Sequence, residues 1–220
     1  MSNEAPAGHV SAILGTVVRV ALERDATIGE LMHVGDQRLH AEVVELQGTT
    51  ATLQVYEETA GMTTGTPVYA SGHPLEVELG PGLLGTVFDG VQRPLQKLAA
   101  IDGDFMGRGQ HATALDRDRL WQFVPGVEKG DTLAAGAVFG VVQETRALEH
   151  RLLVPPTIAG RVDYIADPGP HRIGDIVLRL RTDDAVTRDL TLFHRWRVRR
   201  ARPIAARLPT TIPMMRTSPA

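Results

Sequence analysis

Lys97 and Lys129 are the two lysines of the 220-residue chain, and phosphate chemistry is the first use to test them for. A cradle of the form G-x-x-x-x-G-K-[ST] needs glycines so that backbone N–H groups can approach the anion, and a lysine to neutralise it. Neither QRPLQKLAA around Lys97 nor GVEKGDTLA around Lys129 has that frame, and the glycine run GPGLLG (80–85) is followed by no lysine. Metal or acid–base chemistry would fall to the eight histidines, His9, His33, His40, His73, His111, His150, His171 and His194. None forms H-x-x-x-H or H-E-x-x-H, and no carboxylate joins them at ligand spacing, so they read as surface and turn residues. ASGH (70–73) lacks the G-x-S-x-G elbow of a serine nucleophile. Cysteine is absent, which removes disulfides, thiolate metal sites and thiol nucleophiles together. The alternating charges of ALDRDRLW (114–121) suit a solvated, salt-bridged segment better than a site. No catalytic, cofactor-binding or metal-binding residue is assigned.

The run RWRVRRARPIAAR (195–207) carries the right charge for nucleic acid or acidic lipid. It begins with strand-like alternation, however, and the whole chain has a net charge of -3. A strand leading from one domain into another is the better reading, and no nucleic-acid partner is expected. No apolar run approaches the ~20 residues of a membrane span, so direct membrane insertion is not expected either. The opening MSNEAPAGHVSA is polar, lacks the basic-then-apolar order of a signal peptide, and reads as a short frayed tail over 1–9.

The elements that would position any site are short strands, so the fold class is mainly β. GTVVRVAL (from Gly15) is rich in β-branched residues. RLHAEVVEL (38–46), Gly48 and TTATLQVYEET (49–59) read as an antiparallel hairpin. Ala41, Val43 and Glu45 are expected on one face, Leu39 and the neighbours of Val44 on the other, with Leu53 and Val55 on the return. TPVYASG (66–72) adds a strand, and together these predict a small β-barrel over 10–78. ELGPGLLGTVFDGVQRPLQKLA (78–99) reads as a connector, spanning 79–109, with a short helical face through Leu83, Leu84, Val87 and Phe88 that Pro94 limits. From 110 to 189 strand signals return. VEKGDTLAAGAVFGVV (127–142) and RIGDIVLRL (172–180) share a Gly-Asp turn before a β-rich run, and RLLVPPTIAGRVDYI (151–165) lies between them. In such turns the aspartate is expected to accept a backbone N–H while glycine takes positive φ. A return strand (190–198) and a proline-containing basic tail to 220 follow.

The 127–180 order resembles a biotinyl/lipoyl carrier domain. In those domains a lysine on an exposed hairpin carries the cofactor; the matching hairpin here, QETRALEH, has Arg146 and no lysine, which excludes that chemistry. A stand-alone barrel-sandwich scaffold, or a carrier-like module without its lysine, is the alternative functional reading.

A second resemblance covers nearly the whole chain. GTVVRV, the stretch 29–95 with VYEETAGMTTGTPV and LEVELGPGLLGTVFDGVQRPL, LVPPTIAGRV (153–162) and FHRWRVRRARP (193–203) are similar to the N-terminal portion of the catalytic A subunit of V/A-type rotary ATPases. The resemblance implies a barrel-sandwich-hybrid insert at 110–189, the family's non-homologous region, and a chain that stops at a truncated entry to the absent nucleotide-binding domain. It implies a cytoplasmic hexameric head, peripheral to the membrane, in which A subunits alternate with B subunits and the insert meets peripheral stator subunits. It implies ATP-coupled proton or sodium transport by the full-length protein with Mg-ATP. No position here matches that family's nucleotide contacts, so the chain alone is expected to hold no cofactor and to turn over no ATP.

Overall fold

The computed structural model describes residues 5–103, 107–110 and 112–204. The first body is a closed barrel of β1 (Gly8–Leu14), β2 (Val17–Leu22), β3 (Glu30–Val34), β4 (Leu39–Gln47), β5 (Thr50–Val55) and β6 (Pro67–Pro74), in the order β1-β2-β5-β4-β3-β6 with β6 returning to β1. Closure leaves no free edge on this sheet. Val18, Val20, Met32, Val34 and Leu53 are wholly buried inside it, as period-two alternation requires.

Two details depart from the expected pattern. The sequence places a frayed tail over 1–9, yet β1 takes in Gly8 and His9, and Ala7 is wholly buried with its N–H on the Val68 carbonyl at 2.6 Å. A polar sequence can still pair when its backbone completes a barrel. Glu45 does not share the face of Ala41 and Val43, and Leu39 does not oppose it. Leu39, Ala41 and Val43 all face the core, and a bulge between Val43 and Glu45 then turns Glu45 outward. One extra residue in a strand reverses every side chain beyond it.

β7 (Glu76–Leu79) leads out of the barrel into a run of turns. Leu84 and Val87 are exposed there, and Gly82 and Gly85 take positive φ, so no helix forms over 83–91. The helix of the connector, α1 (Leu95–Asp102), starts immediately after Pro94 and ends at Gly103 (φ 76°). Proline suits a helix start, where its missing N–H would have no partner anyway, so Pro94 opens a helix instead of limiting one.

The second body is a sandwich of two four-stranded sheets. One has the order β11-β10-β8-β13 and uses β8 (Leu120–Pro125), β10 (Val138–Gln143), β11 (Glu149–Leu153) and β13 (Gly169–Arg172). The other has the order β15-β14-β12-β9 and uses β9 (Thr132–Leu133), β12 (Gly160–Ile165), β14 (Leu178–Arg181) and β15 (Thr187–Leu190). Phe123, Phe139, Ile173, Leu178 and Leu180 fill the space between them. Both Gly-Asp turns form: Asp131 accepts the Glu128 N–H at 2.8 Å, and Asp175 accepts the Arg172 N–H at 2.7 Å. Gly130 has positive φ (103°) as expected, whereas Gly174 is not among the positive-φ glycines. Finally β16 (His194–Arg197) pairs antiparallel with β7, from His194 opposite Leu79 to Arg197 opposite Glu76. The chain therefore enters and leaves the sandwich side by side.

Candidate functional site

Glu42 lies on β4 between two core residues, so period two sends its side chain to the outside of the barrel. It is nevertheless only 2% exposed, because the segment after β16 covers it. Arg199 donates from Nη2 to Glu42 Oε2 at 2.6 Å and from Nε to Oε1. The Tyr56 hydroxyl donates to Oε2 as well. The Arg199 hydrogen bonds hold the Glu42 carboxyl below the usual carboxylate range. Burial first, and then the adjacent carboxylate, push Tyr56 up to about 12, and the carboxylate raises the Arg199 guanidinium further. A groove of about 630 Å³ opens beside this pair, between Ile28, Val44, Pro74 and Leu75 on one side and Arg197 and Arg200 on the other.

Two further carboxylates tie the bodies together. Glu57, just beyond β5, accepts from Arg93 Nη1 at 3.0 Å, from the Gly109 N–H at 2.8 Å and from the His40 N–H at 3.4 Å. Arg93 also donates from Nε to Asp89 Oδ2 at 2.7 Å. Burial alone would raise the Glu57 carboxyl, but hydrogen bonding with His40 and Gly109 and the charge of Arg93 outweigh it and bring it down to about 2. Glu78 on β7 is paired with Arg117, lies 3.8 Å from Arg195, and exchanges backbone bonds of 2.6 and 2.7 Å with the Gln92 amide. Barrel, connector, sandwich and return strand are thus joined by Glu42, Glu57 and Glu78. Each carboxylate is paired with an arginine, which suits mechanical coupling, while Glu78 Oε2 is buried with no hydrogen-bond partner among the described residues.

The residues first considered for chemistry are dispersed. Lys97 donates to the Thr113 carbonyl at 3.1 Å and anchors α1. Lys129 sits in the exposed 128–131 turn. His9 meets Glu23 at 2.9 Å, His150 meets Glu144 at 3.1 Å, and His171 reaches the Asp167 carbonyl at 3.0 Å. The His33 and His40 rings meet edge to face at 5.2 Å. The His73 ring lies against the Pro74 carbonyl at 3.0 Å, and the Ser71 hydroxyl is spent on the His73 carbonyl at 2.7 Å. His194 lines a cavity treated below, and His111 lies outside the described residues. Among the described residues no group of three or more His, Asp or Glu could hold a metal ion. Arg146 lies in the turn of the β10–β11 hairpin, where a carrier would need lysine. The basic run begins as β16, with Arg195 and Arg197 opposite Glu78 and Glu76; its part beyond 204 lies outside the described residues. No described helix is long and apolar enough to cross a membrane.

A closed six-stranded barrel followed by a two-sheet sandwich, with the second body inserted between two paired strands, defines a two-body, β-rich module. The β-barrel domain of the ATP synthase alpha/beta family matches residues 10–72, and the barrel-sandwich domain of ATP synthase alpha/beta chains matches residues 112–199. The V-type ATP synthase alpha chain of Anaeromyxobacter sp. (strain K) is 49% identical over 200 residues, covering 91% of this chain and 34% of its own. The A subunit of the A-type ATP synthase of Thermococcus sp. (strain KI) is 40% identical over 208 residues, covering 94% of this chain and 36% of its own. Among solved structures, the ATPase EscN of the enteropathogenic E. coli type III secretion system aligns at 27% identity over 55% of this chain and 30% of its own, with a TM-score of 0.39. The chain belongs to the ATP synthase alpha/beta family and corresponds to the N-terminal region of A-type and V-type A subunits. It spans about a third of the length of the curated relatives it matches.

Proposed function

We propose that this chain serves as the N-terminal assembly region of a rotary ATPase A subunit. In that role the barrel joins a ring with B subunits and other A subunits, and the barrel-sandwich projects toward peripheral stator subunits. The head it serves is peripheral to the membrane and couples ATP to proton or sodium transport. The observation that carries this reading is the paired domain match, barrel then barrel-sandwich, in a chain 40–49% identical to A subunits over more than nine-tenths of its length. Turnover of ATP is not part of the role, since neither lysine stands in a phosphate-cradle frame.

The test is mixing the purified chain with the B subunit of an A-type or V-type enzyme and measuring mass by analytical ultracentrifugation. A mixed complex of the two proteins is expected, with no saturable Mg-ATP binding to the chain alone by calorimetry. Failure to associate with the B subunit or with any stator subunit would overturn the assembly reading and favour a stand-alone scaffold. Saturable Mg-ATP binding would overturn the second part.

A further inference from the structure

The cavity between the sandwich and the β7–β16 ribbon contains two nitrogen-bearing side chains that the rest of the fold leaves unused. It encloses about 470 Å³, and its walls are mostly apolar, with Leu83, Phe139, Leu152, Leu190 and Phe193 among them. Most of its ionisable groups are already committed. The His150 ring lies 3.1 Å from Glu144, whose other oxygen accepts the N–H of Gly82 at 2.7 Å and of Leu84 at 3.3 Å. Asp189 is held by Arg179 at 2.6 and 3.1 Å. Arg151 turns toward Glu149 at 3.9 Å. His194 and Arg202 are different. Among the described residues the His194 ring makes no hydrogen bond, although it is only part-exposed. The Arg202 guanidinium meets no carboxylate among the described residues, only the face of Trp196 at 5.0 Å.

Arg202 is exposed and the His194 ring is part-exposed, so both keep water in the free protein; what they present is two uncommitted nitrogen-bearing groups beside an apolar wall. An anion would satisfy both. A carboxylate offers two oxygens to two donors, and an apolar body attached to it would use the walls. Inorganic phosphate would leave those walls unmatched while asking for more donors than the cavity has spare. We propose that this cavity is a binding site for a small aliphatic carboxylate, with the anion between His194 and Arg202 and the aliphatic body against Phe139, Leu152 and Phe193. The site is independent of the assembly role.

Binding should be linked to protons. Burial, then the charges of Arg202 and His150, push the His194 imidazole below its ordinary value, so without an anion beside it the ring is neutral at pH 7. An anion reverses the charge argument and favours the imidazolium. The other groups facing it are His150, held against Glu144 at 3.1 Å, Asp189, held by Arg179, and Arg151, turned toward Glu149, so His194 is the titratable group left uncommitted to take up the proton.

The experiment uses the whole 220-residue chain with hexanoate, acetate and inorganic phosphate as probes. Calorimetry gives affinity, and the His194 ring resonances give its protonation. Saturable hexanoate binding is expected, about tenfold or more tighter than acetate because several buried methylenes separate them. Affinity should rise as pH falls from about 7.5 to about 5.5, across the range where histidine titrates, with the His194 apparent pKa shifted upward in the complex. Arg202→Gln, a change at an exposed position, should abolish saturation while leaving the unfolding temperature unchanged. His194→Gln should weaken binding and flatten its pH dependence. Tighter binding of phosphate than of hexanoate overturns the carboxylate assignment. No saturable binding by any probe, or binding that survives Arg202→Gln unaltered, overturns the site.

Discussion

Arg199 reaches back across 157 residues of sequence to grip Glu42 of the barrel with both Nε and Nη2. The two ends of this contact differ in setting: the Glu42 side chain is 3% exposed and that of Arg199 72%. The carboxylate is therefore the partner that cannot turn to water if the pair is broken, while solvent screens the arginine. The contact sets the path by which the chain leaves the sandwich relative to the barrel.

Arg199→Met keeps the aliphatic stem and removes the donors. It is expected to lower the unfolding temperature by about 2–4 °C, the scale of a modest lost interaction in a chain of this size. The same change in a Glu42→Gln background should cost clearly less, since no buried charge is then stranded. Thermal unfolding of the four proteins measures this, and strictly additive losses would show that the residues are not coupled.

Glu57 offers a pH test. Its carboxyl falls from 4.5 to about 2 on folding. A depressed folded pKa contributes stability that is complete above the unfolded value and disappears as pH falls through the folded one. Glu57→Gln forgoes that contribution at every pH. The gap between the two proteins should be on the order of 2 kcal/mol at pH 7 after allowing for solvent screening, and should close between about pH 5 and pH 2. Urea unfolding across that range checks it, and a constant gap would rule out the charge as its cause.

What the sequence reveals of this molecule depends on range along the chain. The β4–β5 hairpin and the turns at Asp131 and Asp175 are local, and residue type with period two foretells them. The bulge after Val43 is not visible, because nothing in HAEVVEL marks which valine is the extra residue. Apolar spacing over 83–91 suggests a helix in the wrong place. Gly82 and Gly85 break that stretch, and Pro94 starts the next, and these outweigh the spacing. The absence of a phosphate cradle can be read directly from Lys97 and Lys129. The carboxylate–arginine ties cannot: Glu42 and Arg199, or Glu57 and Arg93, become neighbours only once both bodies have formed. A glutamate between Ala41 and Val43 is the one available hint that the outer face of β4 is covered.

Two glycines separate backbone conformation from space. A Cβ at Gly160 would stand 2.3 Å from the Arg181 carbonyl oxygen, a backbone atom of the paired strand β14. At Gly15 (φ +59°) it would meet nothing within 4 Å. Gly15→Ala should cost only the positive-φ penalty, about 1 kcal/mol. Gly160→Ala must push two strands apart and should cost about 1–3 kcal/mol or more. Equal denaturation midpoints for the two variants would contradict the close approach.

Leu53 and Phe123 are both wholly buried, but in separate apolar clusters that share no residue. Leu53→Ala should cost about 2–5 kcal/mol and Phe123→Ala about 3–5 kcal/mol, from lost transfer energy plus the cavity left behind. Between the bodies lie the arginine–carboxylate contacts of Glu42, Glu57 and Glu78, which are weaker than either core and partly screened by solvent. Each loss should therefore stay within its own body. Hydrogen exchange is expected to accelerate in β2, β4 and β5 of Leu53→Ala while β8, β10 and β14 keep wild-type protection, with the reverse pattern in Phe123→Ala. Equal loss of protection in both bodies from either substitution would show instead that the contacts at Glu42, Glu57 and Glu78 bind them into one cooperative unit.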